Sequence, residues 1–389
     1  MDDSSSAEIA LRGLLGEISA ELGPLGPQWV QAAWAAPRHR FLPSQLWVGD
    51  TMELCDREKS PDAWLRAAYA NEPAVTQVND GKDPGAEERW PSSSASAPNI
   101  VFRMLDMLDV KPGHKVLEIG TGTGWNAGLL SHVAGPENVT TIEVDALLAV
   151  EARDRLHAEG IGAEVVTGDG AKGYADNAPY DRLEATCSVR SVPRPWLEQV
   201  KPGGVILTPW DSPWVCYGLL HLTVDDSGSA SGSFSPHSAF MVMPDQRTNL
   251  RIYRDVVRDD HQPEESFTTL SPWDVAGADV DAQFAVGLQL RDVWRTWHED
   301  PDVEGVKTRL WVATTDATSW AAVDWDGTSD DRFSVWQYGP RRLWNEVESA
   351  HAWWELHDRP GPDRFGLTVA DTGETPWLDD PEQPVPTPG

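Results

Sequence analysis

The sequence predicts an α/β protein: a Rossmann-like parallel sheet covered by helices, with N-terminal helices before it and an additional α+β C-terminal domain after it. Three observations carry this. The stretch Lys115–Trp125, KVLEIGTGTGW, reads as a buried strand, a glycine-rich turn and the start of a helix. That arrangement aims backbone N–H groups and a helix N-terminus at a ligand. Strand-like and helix-like stretches then alternate as far as Pro209, as a parallel sheet with crossover helices requires. Finally, eleven of the twenty tryptophans lie beyond residue 270, which marks a second unit with its own core or binding surface.

Taken in order, apolar residues at helical spacing (Ile9, Leu11, Leu14, Leu15, Ile18) predict a helix over Ala7–Leu22, stopped by Gly23 and Pro24. A second helix fits Gln28–Ala35. Ala36–Pro43, APRHRFLP, is a proline-bounded turn, Asp62–Ala70 a short helix, and Ala74–Gly81 a strand and turn. Residues 82–97 are polar and end in serines, where the N-cap of a helix carrying Ile100, Val101, Met104, Leu105 and Leu108 belongs. Past the glycine turn, strands are expected at Asn138–Asp145, Ala163–Thr167, Tyr180–Cys187 and Val205–Pro209. Helices are expected at Ala146–Ala158 and Pro193–Val200, and a tight turn at Lys201–Gly204. Strands Leu219–Val224 and Ala239–Pro244 follow, then strands at Thr308–Thr314, Ala321–Asp324 and Phe333–Gln337 and a helix over Arg342–Glu355. The domains so read are 1–90 (N-terminal helical region), 91–248 (Rossmann-like), 249–378 (accessory, Trp-rich) and 379–389, a Pro-rich acidic tail expected to be disordered.

Composition narrows the function classes. The formal charge of −31 argues against a nucleic-acid partner, which needs clustered Lys and Arg. No apolar run approaches a membrane span, and Met1–Ser4 lacks the features of a signal peptide. Three widely spaced cysteines, Cys55, Cys187 and Cys216, predict neither a disulfide framework nor a metal site. A cytoplasmic protein without a membrane or metal is expected, and a monomer is favoured.

The candidate cofactor seat consists of Glu118, Gly120, Thr121, Gly122, Asn126, Glu143, Val144, Gly168, Asp169 and Gly170. Glu143 ends the strand after the glycine turn, where an acid binds the two hydroxyls of a ribose. Asp169 ends the next strand, within reach of an adenine edge. Glu118 precedes the turn and is placed to orient its backbone. Any one of these acids serves equally well as a helix cap; three at successive strand ends point to a ligand. Trp125 stands where a dinucleotide fingerprint has its third glycine, and no Gly-Lys-Ser or Gly-Lys-Thr phosphate loop occurs. A nucleoside without phosphates fits better, and S-adenosylmethionine is the candidate, with S-adenosylhomocysteine as its product.

VLEIGTGTGWNAGLL, TTIEVD, VVTGDG, APYDRLEAT and VKPGG, with Ser96-Ala97-Pro98 upstream and APRHRFLP before it, resemble the protein-L-isoaspartate O-methyltransferase family over roughly residues 10–245. The resemblance implies a class I S-adenosylmethionine-dependent methyltransferase fold and methyl transfer to a side-chain carboxylate of aspartate or isoaspartate. It also makes Ser96, in the Ser-x-Pro loop, the active-site hydroxyl; Ser94 is added from proximity alone. Trp336–Trp354 and Arg364–Asp379 resemble the extra domain of lanthipeptide-cluster-associated (FxLD-system type) aspartyl O-methyltransferases, which implies a cyclised precursor peptide as substrate. A general isoaspartate-repair enzyme and a non-catalytic peptide-binding protein with a vestigial seat are the alternatives; intact Glu143 and Asp169 speak against the latter.

Overall fold

The computed structural model describes residues 3–82, 89–236, 238–328 and 331–387. The chain forms two units: Met1–Cys187 with Pro193–Thr208 and Thr223–Gly228, and Ser188–Val192 with Pro209–Leu222 and Ser229–Gly389. No helix among the described residues is long and apolar enough to cross a membrane.

The first unit opens with α1 (Asp3–Leu22) and α2 (Pro27–Ala35). Strands β1 (Gln45–Val48), β2 (Glu53–Asp56), β3 (Ala74–Val78) and β4 (Pro91–Ala95) form an antiparallel sheet in the order β2-β1-β3-β4, with α3 (Pro61–Ala68) between β2 and β3. The serine-rich stretch is therefore strand β4. The cap expected there does not form: α4 (Pro98–Leu108) starts from Ala97 with no side-chain cap, because Pro98 at its first turn removes one unpaired N–H. Val101, Phe102, Met104, Leu105 and Leu108 bury the inner face of α4, each contributing roughly 1.5–3 kcal/mol.

The parallel strands are β5 (Val116–Ile119), β6 (Val139–Glu143), β7 (Glu164–Thr167), β8 (Tyr180–Ala185) and β9 (Val200–Asp211), in the order β9-β8-β5-β6-β7. Helices α5 (Trp125–Ala134), α6 (Ala146–Ala158) and α7 (Arg194–Gln199) make the connections. Strand order reverses at β5, so its C-terminal end is the topological switch point where such sheets bind ligands. Lys201–Gly204 is not a separate turn; it lies within β9, and the β8–β9 register shifts after Tyr180, with Gly203 at φ +75°.

The second unit contains β10 (Cys216–Val224) and β11 (Ala230–Ser235), followed by β12 (Glu264–Thr268), α8 (Pro272–Ala276), α9 (Val280–Gln289) and β13 (Val293–Glu299). Next come β14 (Thr308–Thr314), β15 (Trp320–Trp325), β16 (Phe333–Tyr338), α10 (Leu343–Leu356), β17 (Phe365–Ala370) and β18 (Gly373–Leu378). β12-β16-β15-β14-β13 is a five-stranded antiparallel sheet. β11 pairs with β17, so this unit begins well before residue 249. Ala239–Pro244 is not a strand: Val242 makes one isolated bridge to Ser188, whose hydroxyl takes the Phe240 carbonyl. The tail is ordered where disorder was expected. Leu378 N donates to Gln383 O (3.0 Å) and Val385 N to Pro376 O (2.9 Å), which seats Val385. Residues 388–389 of that tail, and 83–88 of the polar stretch, lie outside the described residues.

Within the first unit, one side chain from the APRHRFLP turn ties the helical region to β4. Arg38 is fully buried, and its guanidinium donates to the carbonyls of Ala68 (2.9 Å), Ala70 (3.2 Å), Glu72 (3.3 Å), Ala95 (3.1 Å) and Ser96 (3.0 Å). Burial lowers its pKa to about 10, so the charge persists at neutral pH. Arg38→Met, similar in volume, strands five carbonyls and should destabilise the fold by roughly 3–5 kcal/mol. Arg38→Lys should recover little, since an ammonium cannot reproduce the planar fork. Urea unfolding midpoints near wild type for both variants would contradict this.

Candidate active site

The glycine turn is shaped by what surrounds it. Gly120 has φ +97°, and a Cβ there would stand 2.6 Å from Thr186 Oγ1. That hydroxyl donates to Gly120 O (2.6 Å). Gly120 N and Thr121 N both donate to Ile142 O on β6 (2.8 and 3.2 Å). Gly122, at φ +52°, donates its N–H to Glu143 Oε2 (2.9 Å). Trp125 faces away from the turn. Its ring is buried edge-on to Phe102, and Nε1 donates to Ala36 O (2.9 Å), tying the start of α5 to the end of α2.

The acids divide their roles differently from the expectation. Glu143, not Glu118, orients the turn backbone. Its second oxygen accepts from Asp145 N (3.1 Å), and each oxygen keeps a further lone pair for a ribose hydroxyl. Burial pushes the Glu143 pKa up, and the Gly122 and Asp145 N–H groups pull it back. Glu118 is turned into the sheet and makes no bond to the turn. Its carboxyl accepts from Thr141 Oγ1 (2.5 Å) and Asn126 Nδ2 (2.8 Å). Thr121 likewise points inward, bonding Thr141 (2.7 Å), so only its backbone serves the turn. Asp169 caps the short turn after β7 through Ala171 N (3.0 Å), while Gly168 N holds Glu143 O (2.9 Å). Val144 is 58% exposed beside them, and Gly170 O takes the indole N–H of Trp196 (2.8 Å).

The serines converge on the same place. A Cβ on Gly122 would lie 3.8 Å from Ser94 O and 3.9 Å from Ser93 Oγ, so β4 runs directly beside the turn. Ser94 pairs with Val75 on β3, and Ser96 O is held by Arg38. Both serines are half-buried. The sequence did not single out the residues that position this strand, Arg38 and Gln77, or Thr186, which holds the turn. Gln77 accepts from Ser92 Oγ (2.8 Å) and donates to Asp145 Oδ2 (2.8 Å). A signal existed for Arg38 alone, in the APRHRFLP segment.

The seat fits an adenosyl ligand. A glycine-rich turn whose two threonines are buried, Glu143 at the end of β6 and Asp169 just past β7 follow successive strands of the sheet. Asn126 Oδ1 is a buried acceptor with no partner among the described residues, suited to an ammonium donor.

Beneath the seat lie two buried carboxyls, Glu118 and Glu184, sharing Asn126 Nδ2 at 2.8 Å each. Burial pushes them up to about 8 and about 7; the Thr141 and Asn126 donors only partly offset this. The folded state thus binds these protons where the unfolded chain has released them. Their contribution is full below the unfolded pKa near 4.5 and is lost as pH rises through about 7 to 8. Glu184→Gln should narrow the drop in Tm between pH 6 and 8.5 by a few degrees. An unchanged pH slope in thermal melts would contradict the assignment.

A family model described as protein-L-isoaspartate(D-aspartate) O-methyltransferase matches residues 35–223. Protein-L-isoaspartate O-methyltransferase of Methanothermobacter thermautotrophicus is 41% identical over 165 residues, covering 42% of this chain and 70% of that protein. Protein-L-isoaspartate O-methyltransferase 2 of Polaromonas sp. is 36% identical over 212 residues, covering 54% and 85%. The Pyrococcus horikoshii protein is 38% identical over 135 residues, 34% of this chain and 61% of its own length. A solved structure titled protein-L-isoaspartate O-methyltransferase aligns over 95% of this chain and all of its own with a TM-score of 0.56 at 20% identity, a likeness of fold. The chain belongs to the protein-L-isoaspartate(D-aspartate) O-methyltransferase family, the S-adenosylmethionine-dependent carboxyl methyltransferases.

Proposed function

We propose that the chain esterifies the side-chain carboxylate of an aspartyl residue in a ribosomally made, cyclised peptide of lanthipeptide type, and that the ester passes through a succinimide to isoaspartate. The observation that carries carboxylate chemistry is the approach of β4 to the glycine turn, which brings Ser93 and Ser94 beside Gly122, with half-buried Ser96 directly after the strand. S-adenosylmethionine, when bound, supplies an electrophilic methyl group. A carboxylate is already a nucleophile at neutral pH, so the protein needs no strong base. Its task is to strip the carboxylate of water, align it and hold it with neutral donors. Ser96 fills that role, with Ser94 beside it. The carboxylate oxygen then carries the methyl. The next backbone nitrogen attacks the ester carbonyl, methanol leaves, and water reopens the imide. The peptide-tailoring part of the reading is supported by the second unit, which extends far beyond the matched residues 35–223 and carries its own sheets.

A second reading, general isoaspartate repair, is favoured by the names of the relatives and by the full-length likeness to one solved structure of that name. The two separate on substrate. Incubation with S-adenosylmethionine and a cyclised precursor peptide should give a mass gain of one methyl, then a dehydrated species, then isoaspartate. Turnover only on unrelated isoaspartyl peptides would select repair; turnover on neither would reject both.

Ser96→Ala should lower kcat roughly 10²-fold or more while leaving cofactor affinity within a factor of about two. Glu143→Ala should do the reverse, weakening cofactor binding about tenfold or more by calorimetry. A Ser96→Ala defect residing in cofactor affinity would remove the substrate-side role.

A further inference from the structure

The five-stranded sheet of the second unit has two faces. One is closed by α8, α9 and α10 around Val286, Val312, Val323 and Val347. On the other, lateral register aligns Trp311 of β14 with Ala322 of β15 and Trp336 of β16, and Arg309 with His298 of β13. The Ile252–Val256 segment packs on that face with Trp294, Trp311, Ala313, Trp320 and Ala322. What remains is a cleft of about 850 Å³. Tyr253, 59% exposed, stands edge-on to Trp311 (centroids 5.7 Å, interplanar 84°) and leans on His298 at 5.4 Å.

A second observation points to a ligand. Trp311 is 3% exposed, and its indole N–H has no acceptor among the described residues. Its neighbours are satisfied: Trp297 Nε1 donates to Ala276 O (3.1 Å) and Trp320 Nε1 to His261 Nδ1 (3.0 Å). A buried donor without a partner is costly unless an incoming carbonyl takes it. The Arg309 charge on the floor is neutralised by Asp324 through two bonds (2.5 and 2.7 Å). The rim carries Glu299 and Asp302 against Arg258. An anionic ligand is disfavoured there, and a sugar finds few free polar groups. Perpendicular rings, one lone donor and an acidic rim suit an extended apolar chain with bare carbonyls and a cationic residue, which is the chemistry of a proline-containing peptide.

We propose that this cleft docks an extended, proline-containing, basic segment of the polypeptide substrate, distinct from the residue that is methylated; the inference rests on the peptide-substrate reading above. The probe is a fluorescein-labelled octapeptide of prolines and leucines with a lysine at each end, titrated by anisotropy into the full chain. A control peptide carries glutamates at its ends. The lysine probe should bind saturably and the glutamate probe more weakly. Trp311→Phe, which keeps a smaller aromatic ring and removes the N–H, should weaken binding roughly 3–10-fold. Tyr253→Ala, on an exposed ring that folding does not need, should weaken it similarly. Both variants should methylate a short aspartyl or isoaspartyl peptide, whichever the wild type accepts, at the wild-type rate. No saturable binding below about 1 mM, wild-type affinity in both variants, or preference for the glutamate probe would overturn the proposal. Failure of the wild type to methylate any aspartyl or isoaspartyl peptide, with the probe still bound, would instead count against the functional reading.

Discussion

The candidate site depends on a buried cation, Arg38, with no carboxylate partner among the described residues. Arg38 donates to five backbone carbonyls, drawn from the end of α3, the segment before β3 and the end of β4. Its guanidinium also lies over the Trp125 ring at 5.5 Å. Trp125 in turn fixes the N-terminus of α5 through Ala36 O. One side chain thus sets both the position of Ser96 and the angle at which the helix leaves the glycine turn. A planar fork is suited to this work because several carbonyls converge in one plane, and no rotatable ammonium reaches them together. Desolvation of an unpaired charge is expensive, and those five bonds are what offset it.

The sheet beneath the turn solves a related problem with the opposite sign. Glu118 and Glu184 occupy adjacent, paired positions on β5 and β8, both buried. Two carboxylates there would repel each other in a medium that screens poorly. Burial keeps them protonated over much of the neutral range, and Asn126 and Thr141 supply the hydrogen bonds. Thr121 donates to Thr141, which donates to Glu118. This chain runs from the turn into the core, so the conformation of the turn is tied to a group that titrates. Asn126 spends both amide protons on the pair, and its oxygen has no donor among the described residues.

Much of this was legible in the sequence. Continuous apolar runs and glycine signals placed β5 to β8 and α5 to α6 within a residue or two, because parallel strands are buried on both faces. The Gly120–Gly124 turn, Glu143 and Asp169 fall at strand ends as expected. What sequence could not reveal was direction. Glu118 adjoins the turn in the chain, yet a strand alternates its faces, and residue 118 looks into the sheet. The serines of β4 resemble a cap because Ser favours caps; pairing with β3, some fifteen residues away, overrode that preference. Arg38 gave no sign of burial, since a cation in a polar turn looks solvated. The pairing of β11 with β17, more than a hundred residues apart, hid where the second unit begins.

These features bear together on how a chain of net charge −31 handles a substrate that is itself a carboxylate. Long-range repulsion opposes approach, and it is screened beyond about 8–10 Å at physiological salt. What counts is the charge within that distance. Two of the nearest acids are held largely neutral by burial, and a third, Glu143, is occupied by the N–H groups of Gly122 and Asp145. The cation behind Ser96 keeps its proton at neutral pH. Its bonds to Ala95 O and Ser96 O set the backbone dipoles of the serine loop in fixed orientation. A site of this composition, on the proposed role of Ser96, sets its hydroxyl next to backbone held by a cation, within an acidic protein. It can accept an anion without offering it a competing base, which is what methyl transfer to a carboxylate asks of it.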